Sequence, residues 1–207
     1  YRPEERQLFF TNDNDLALRD SRRARTIINS DRYKALVARI DRGRGVVDGQ
    51  AYRRLLTWQV GDVTAALNED PTLKETLAYK LSFRADQNEK KNFENAAGGF
   101  RQCLGIGASV TGKRGDGMVI DDPYDAKEVV LGDPKRQAQR MREVVDVYNS
   151  VLKSRLNSER DGYRVIIMQR LHHADLAGSR IAAGARAVVL PTCYDPDHPA
   201  AYAGDPR

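Results

Sequence analysis

Two adjacent carboxylates, Asp121 and Asp122, follow the apolar run Met118-Val119-Ile120 and precede Pro123. An unbroken apolar run of that length fits a parallel strand covered on both faces. Carboxylates at its C-terminal end stand where open α/β sheets bind their ligands. Pro123 ends the ladder because it has no N–H to donate. An apolar strand tipped by two acidic residues has the form of a Walker B motif. In that motif the first carboxylate holds Mg²⁺, directly or through water, and the second orients the water that attacks a γ-phosphate. A strand ending in a solvated acidic turn is the other meaning of the same residues, so the surrounding sequence decides.

Gly107-Ala108-Ser109-Val110-Thr111-Gly112-Lys113 matches the phosphate-loop pattern G-x-x-x-x-G-K. The next residue is Arg114, where a Ser or Thr should reach Mg²⁺. A phosphate loop must also open a helix, whereas Gly115-Asp116-Gly117 and a strand follow here, so the match is rejected. Lys113 and Arg114 keep an interest of their own. They lie on a glycine-rich segment just before the acidic strand, where Arg114 suits an arginine finger or a solvated turn. Met168-Gln169-Arg170 ends a second apolar run, Val165 to Met168. In a parallel sheet Gln169 would share an edge with Asp121 and Asp122 and could sense a γ-phosphate. His172 and His173 are adjacent and cannot both aim at one metal from a regular element, and His198 is remote, so no zinc site is read. Cys103 and Cys193 share no metal spacing and read as free thiols of a reducing compartment.

The elements that position these residues follow from periodicity. Leu8-Phe9-Phe10 predicts a strand, and Asp15 to Asn29 and Tyr33 to Ile40 predict amphipathic helices. Arg19, Arg22, Arg23 and Arg25 fall mostly off the apolar face of the first helix, as a basic stripe or a solvated face. Asp41 to Gly45 reads as a loop, and Ala51 to Leu67 as one helix, with Trp58 as a packing residue. Tyr79 to Ala85 alternates as a strand, Asp86 to Lys91 is a polar connector, and Phe100 to Ile106 is a further strand. Asp133-Pro134 starts a long helix reaching Asn157, with Asp as N-cap and Pro in the first turn. Val165 to Met168 and Ala187 to Leu190 predict two more buried strands, with a helical turn at Asp175 to Gly178 between them. Strand, long helix, strand makes a parallel crossover.

The 207 residues hold one good core and room for an extra lobe. A net charge of +5 allows an acidic partner without requiring one. No apolar run approaches membrane-spanning length, and no signal-peptide pattern opens the chain. Tyr1 and the Gly204-Asp205-Pro206-Arg207 tail read as ends cut from something longer.

Phe93-Glu94-Asn95, Gly99, Gly105-Ile106-Gly107, Thr111 to Asp116 and Ile120-Asp121-Asp122-Pro123 occur in one order. Ser154-Arg155-Leu156, Ile166 to Gly178 and Leu190-Pro191 continue it. This order resembles the ATPase domain of tailed-phage terminase large subunits, with Asp41 to Ala78 the least similar part. The resemblance implies an α/β fold, a three-layer P-loop NTPase of the additional-strand class with a mostly parallel sheet, incomplete at its N-terminus. It implies a partial ATPase domain over 1–190 and, over 191–207, the start of a linker toward a nuclease domain. The phosphate loop is expected upstream. The family is a viral DNA-packaging motor that uses ATP and Mg²⁺ to drive double-stranded DNA into a procapsid, and whose nuclease cuts concatemers. Its partners are DNA, the portal protein, the small terminase subunit and further copies in a ring, in the host cytoplasm with no membrane. Carried over, Asp121 is the Mg²⁺ carboxylate and Asp122 the catalytic one, where many relatives have Glu. Arg114 is the finger toward a neighbouring subunit, and Gln169 holds the nucleotide-coupling position, usually Thr. Leu171 stands where Trp is usual. The chain alone is expected to be inactive. A helicase-like ATPase and a non-catalytic module binding nucleic acid through the arginines of the first helix are the alternatives.

Overall fold

A computed structural model describes residues 2–46, 49–58, 60–88, 91–191 and 197. The first strand, β1 (Arg6–Thr11), buries Leu8, Phe9 and Phe10. Helix α1 (Asn14–Asn29) is capped by the Asp13 carboxylate, which accepts the N–H groups of Asp15 and Leu16. Ser30 closes α1 and caps α2 (Asp31–Gly43), which takes in part of the loop expected after Ile40. The helix expected over Ala51 to Leu67 is two helices, α3 (Gln50–Leu55) and α4 (Val60–Glu69). The break holds Trp58 at φ 55°, a conformation that helices do not contain, with its ring buried as a packing residue. A 3₁₀ turn (Pro71–Glu75) leads to α5 (Leu77–Leu81) and β2 (Phe83–Asn88). The strand expected from Tyr79 therefore starts only at Phe83. The Thr76 hydroxyl caps α5 by accepting the Tyr79 N–H, and Leu77, Ala78 and Leu81 bury a helical face.

Next come β3 (Asn92–Asn95), β4 (Phe100–Gly105), β5 (Gly117–Asp121) and the short α6 (Ala126–Leu131). Helix α7 (Pro134–Ser150) starts on its Asp133 cap but stops before Asn157; Leu152–Arg155 tightens into a 3₁₀ turn. The last elements are β6 (Tyr163–Ile167) and α8 (Leu176–Ala182). Ala187 to Leu190 forms no strand: it pairs with no described residue, and Val188 and Leu190 are 89% and 68% exposed. An apolar run becomes a strand only beside a partner that takes its backbone hydrogen bonds. Cys193, His198 and nearly all of the 191–207 linker lie outside the described residues.

The six strands form one sheet in the order β2-β3-β4-β1-β5-β6. β1 pairs in parallel with β4 and β5, and β5 with β6, while β2, β3 and β4 pair antiparallel. The fold is α/β with a mostly parallel mixed sheet. Leu8, Phe10, Met118 and Ile120 pack on one face against Val129 of α6 and Met141, Val144 and Tyr148 of α7. Phe9, Cys103 and Val119 pack on the other against Ala17 of α1, so helices lie on both faces. Helices α2 to α5 enclose a second core around Val37, Tyr52, Leu55, Trp58 and Leu77. A buried carboxylate there, Asp41, accepts the Tyr52 hydroxyl and the N–H groups of Leu77 and Ala78. This lobe covers the stretch least similar to the terminase pattern. β6 is an edge strand rather than the buried one expected. Val165 and Ile167, on the face shared with Val119, are 41% and 53% exposed. No helix among the described residues is long and apolar enough to cross a membrane.

Candidate functional site

β5 is flanked by parallel partners on both sides, so its C-terminal end lies at a shared sheet edge with the ends of β1 and β6. Asp121 is its last residue, opposite Ile167, and alternation puts it on the α1 face with Val119. Burial raises the Asp121 pKa, and the nearby carboxylates of Asp122 and Asp20 raise it further, against the pull of Arg101 and Arg19. Asp122 donates its N–H to the Ile167 carbonyl at 2.9 Å and then turns the chain at φ 41°. A left-handed aspartate is strained backbone, which folded proteins concentrate at functional sites. The turn breaks the strand's alternation and exposes the Asp122 side chain.

Asp122 lines a cavity of about 370 Å³ together with Asn12 and Asp13 after β1, Tyr124, and Met168 and Gln169 after β6. The structure thus brings Asp122 and Gln169, 47 positions apart in the chain, to one cavity; Asp121 precedes Asp122 in the chain but is not one of the cavity's lining residues. It does not bring Arg114 there. Arg114 precedes β5, exposed at the opposite sheet edge, where a guanidinium Nη donates to the Ser154 carbonyl at 3.2 Å. Gly115 and Asp121 stand six positions apart along the extended chain, about 20 Å at strand rise. The Gly107 to Lys113 stretch forms turns and enters β5 with no helix after it, so it lacks the helix N-terminus a phosphate loop needs.

Two residues that support the site carry no functional reading in the sequence. The Tyr124 hydroxyl is buried, which pushes its pKa up to about 12, and it accepts the Leu176 N–H at 2.9 Å. Asp175 is fully buried. Its carboxylate accepts the N–H groups of Leu171, His172 and Gly178 and the Arg170 side chain. Burial alone would raise the Asp175 pKa, but these hydrogen bonds outweigh it and hold it below the ordinary value. Tyr124 and Asp175 together tie the turn after Asp122 to the loop after Gln169. Asp175 had a visible signal, an Asp one residue before a helical turn, but its contacts to Leu171 and His172 depend on the folded loop.

For a divalent ion the site offers oxygen donors from two neighbouring carboxylates, one of them exposed to the cavity. That set suits Mg²⁺, which takes one or two carboxylates and completes its shell with water and phosphate oxygens. Among the described residues no group of three or more His, Cys, Asp or Glu forms a closed metal cage. No protein-family model matches the chain, and no curated protein matches it.

Proposed function

We propose that the chain is part of an ATP-hydrolysing motor of the terminase large-subunit kind, a P-loop NTPase that moves double-stranded DNA into a procapsid. The observation carrying this reading is Asp122, held in a left-handed turn at the end of a central parallel strand and facing one cavity with Gln169. Asp121 would hold Mg²⁺, which supplies charge neutralisation to phosphate oxygens when bound. Asp122 orients the attacking water and takes its proton at a carboxylate oxygen. Gln169 donates a side-chain amide N–H to an oxygen of the terminal phosphate, and its loop responds through Asp175 and the Tyr124–Leu176 hydrogen bond. Arg114, about 20 Å away by strand rise, serves only the nucleotide of a neighbouring subunit in a ring.

The phosphate-gripping loop belongs, in this reading, to a segment upstream of Tyr1. Among the described residues β6 has no strand beside it other than β5, and this with its exposed Val165 and Ile167 supports a further parallel strand there. A strand so added would end at the same edge as Asp121 and Asp122. The test is Mg²⁺-dependent ATP turnover by a polypeptide carrying this chain with that upstream segment. Asp122→Asn is expected to lower kcat by about 10²- to 10⁴-fold, and full turnover in that variant overturns the assignment. The 207-residue chain by itself is expected to turn over no ATP; turnover lost in Asp121→Ala would put the phosphate grip inside it.

A further inference from the structure

Residues 14–44, the span of α1, Ser30, α2 and Arg44, hold nine basic and four acidic residues, a net +5. The whole chain also carries +5, so everything outside this helix pair sums to zero. Eight of the nine basic residues are arginines, whose guanidinium forks match phosphate oxygens in pairs. On α1 the buried residues Ala17 and Ser21 define the core face, and Arg19, Arg22 and Arg23 fall on the side away from it. On α2 the buried Val37, Ala38 and Asp41 define the core face, and Arg32 and Arg39 fall opposite. Arg22, Arg32, Arg39 and Arg44 are exposed and make no ion pair with another described residue. The two helices give about 24 Å and 20 Å of length at 1.5 Å per residue, joined through Ser30. The guanidinium groups of Arg22, Arg32, Arg39 and Arg44, spread over that length with the rest of the chain neutral, fit a regular linear array of phosphates. Duplex DNA presents one charge per about 1.7 Å of axis.

We infer that the outward arginines of α1 and α2 form a sequence-independent contact surface for the phosphate backbone of double-stranded DNA. The contact stands whether or not the chain hydrolyses ATP. A mechanical consequence rests on the hydrolysis reading. The cap and first turn of α1, Asp13 and Leu16, line the cavity of Asp122. Asp20, one turn further on, pairs with Arg19 and Arg23. One rigid helix therefore has the carboxylate site at its start and the DNA surface on its outer side.

The experiment is binding of a 30-base-pair duplex to the 207-residue chain by fluorescence anisotropy across a salt series, with melting curves to check folding. Replacing Arg22, Arg32, Arg39 and Arg44 by Ala is expected to weaken binding and to lower the slope of log K against log salt by about four, one for each lost phosphate contact. A control removes the same charge elsewhere, with Lys127, Lys135, Arg136 and Arg142 replaced by Ala, all exposed on α6 and α7; its slope is expected to change by less than about one. An equal loss in both variants, or an unchanged slope in the first, overturns the inference. So does an arginine-dependent affinity for anionic phospholipid vesicles with none for the duplex. Asp122→Ala is expected to leave duplex binding unchanged. Retained binding alongside normal ATP turnover in Asp122→Asn would sink the hydrolysis reading and leave this one standing.

Discussion

At the residue scale, the two central carboxylates are held differently, and this separates function from stability. Asp121 has a raised pKa, from burial and then from Asp122 and Asp20. Its ionised form is therefore less favourable in the folded chain than in the unfolded one, so its contribution to stability falls as pH rises through the folded value. Asp121→Asn removes that repulsion. It is expected to stabilise the chain at pH 7 on the order of a few tenths of a kcal/mol, solvent screening limiting the gain, while removing the metal carboxylate. Thermal melting of both forms checks it, and a lower melting temperature for the variant would contradict the repulsion. Asp175 behaves oppositely. Its folded pKa is depressed, so its stabilisation is complete above the ordinary carboxylate value of about 4 and is lost as pH falls below it. Asp175→Ala orphans three backbone N–H groups and is expected to cost about 2–3 kcal/mol at pH 7, measured by denaturant unfolding. The cost should shrink in acid; an equal cost at pH 3 and pH 7 would show that the charge is not what matters. Asp121, Asp122 and Gln169 were readable because strand ends announce themselves by an apolar run and its stop. Asp175 and Tyr124 were not, since what they do depends on a loop closing 52 positions away.

At the element scale, β1, β5, β6 and α7 were legible because each rests on a local pattern: an apolar run, or a 3.6-residue repeat with a cap. Three readings failed where tertiary packing overrode pattern. Tyr79 to Leu81 alternates like a strand, yet the Thr76 cap and the lobe core make it helix. Trp58 gives no sequence sign of its left-handed backbone. Ala187 to Leu190 has strand composition and no partner among the described residues. Glycine placement was also opaque. Gly117 opens β5, and a Cβ there would lie 2.2 Å from Cζ of Tyr163. The Tyr163 hydroxyl is engaged by both Gln7 and Glu5, so the ring has little freedom to yield. Gly117→Ala is expected to destabilise by about 1–3 kcal/mol, the range for overpacked sites. Combining it with Tyr163→Ala should cost less than the two single changes added together. Strict additivity in that cycle would mean the ring does not press on Gly117.

At the scale of the whole molecule, the sheet is asymmetric in its finish. Its β4-β1-β5 centre is covered on both faces, and its far side ends in the antiparallel β3 and β2. β6 has α7 and its neighbours on one face, where Ile166 packs, and Val165 and Ile167 exposed on the other. A parallel strand with one apolar face bare and one ladder edge unpaired among the described residues is unusual, because parallel sheets bury both faces. If the phosphate-gripping segment docks there, Val165→Thr with Ile167→Thr should change the stability of the 207-residue chain by less than about 0.5 kcal/mol, as exposed positions do. The same pair should weaken a polypeptide that includes the upstream segment by about 2 kcal/mol or more, since both side chains then leave a buried interface. Amide hydrogen exchange gives the matching readout: β6 amides should exchange quickly in the chain alone and slow by orders of magnitude when the segment is joined to it. Protection that instead rises on β2, the other edge, would move the docking site across the sheet from Asp121 and Asp122. A phosphate loop carried there would be separated from those carboxylates by β2, β3, β4 and β1. At about 4.8 Å per strand that gap is too wide for one Mg²⁺ to bridge. The metal assignment of Asp121 and the docking of β6 therefore stand or fall together.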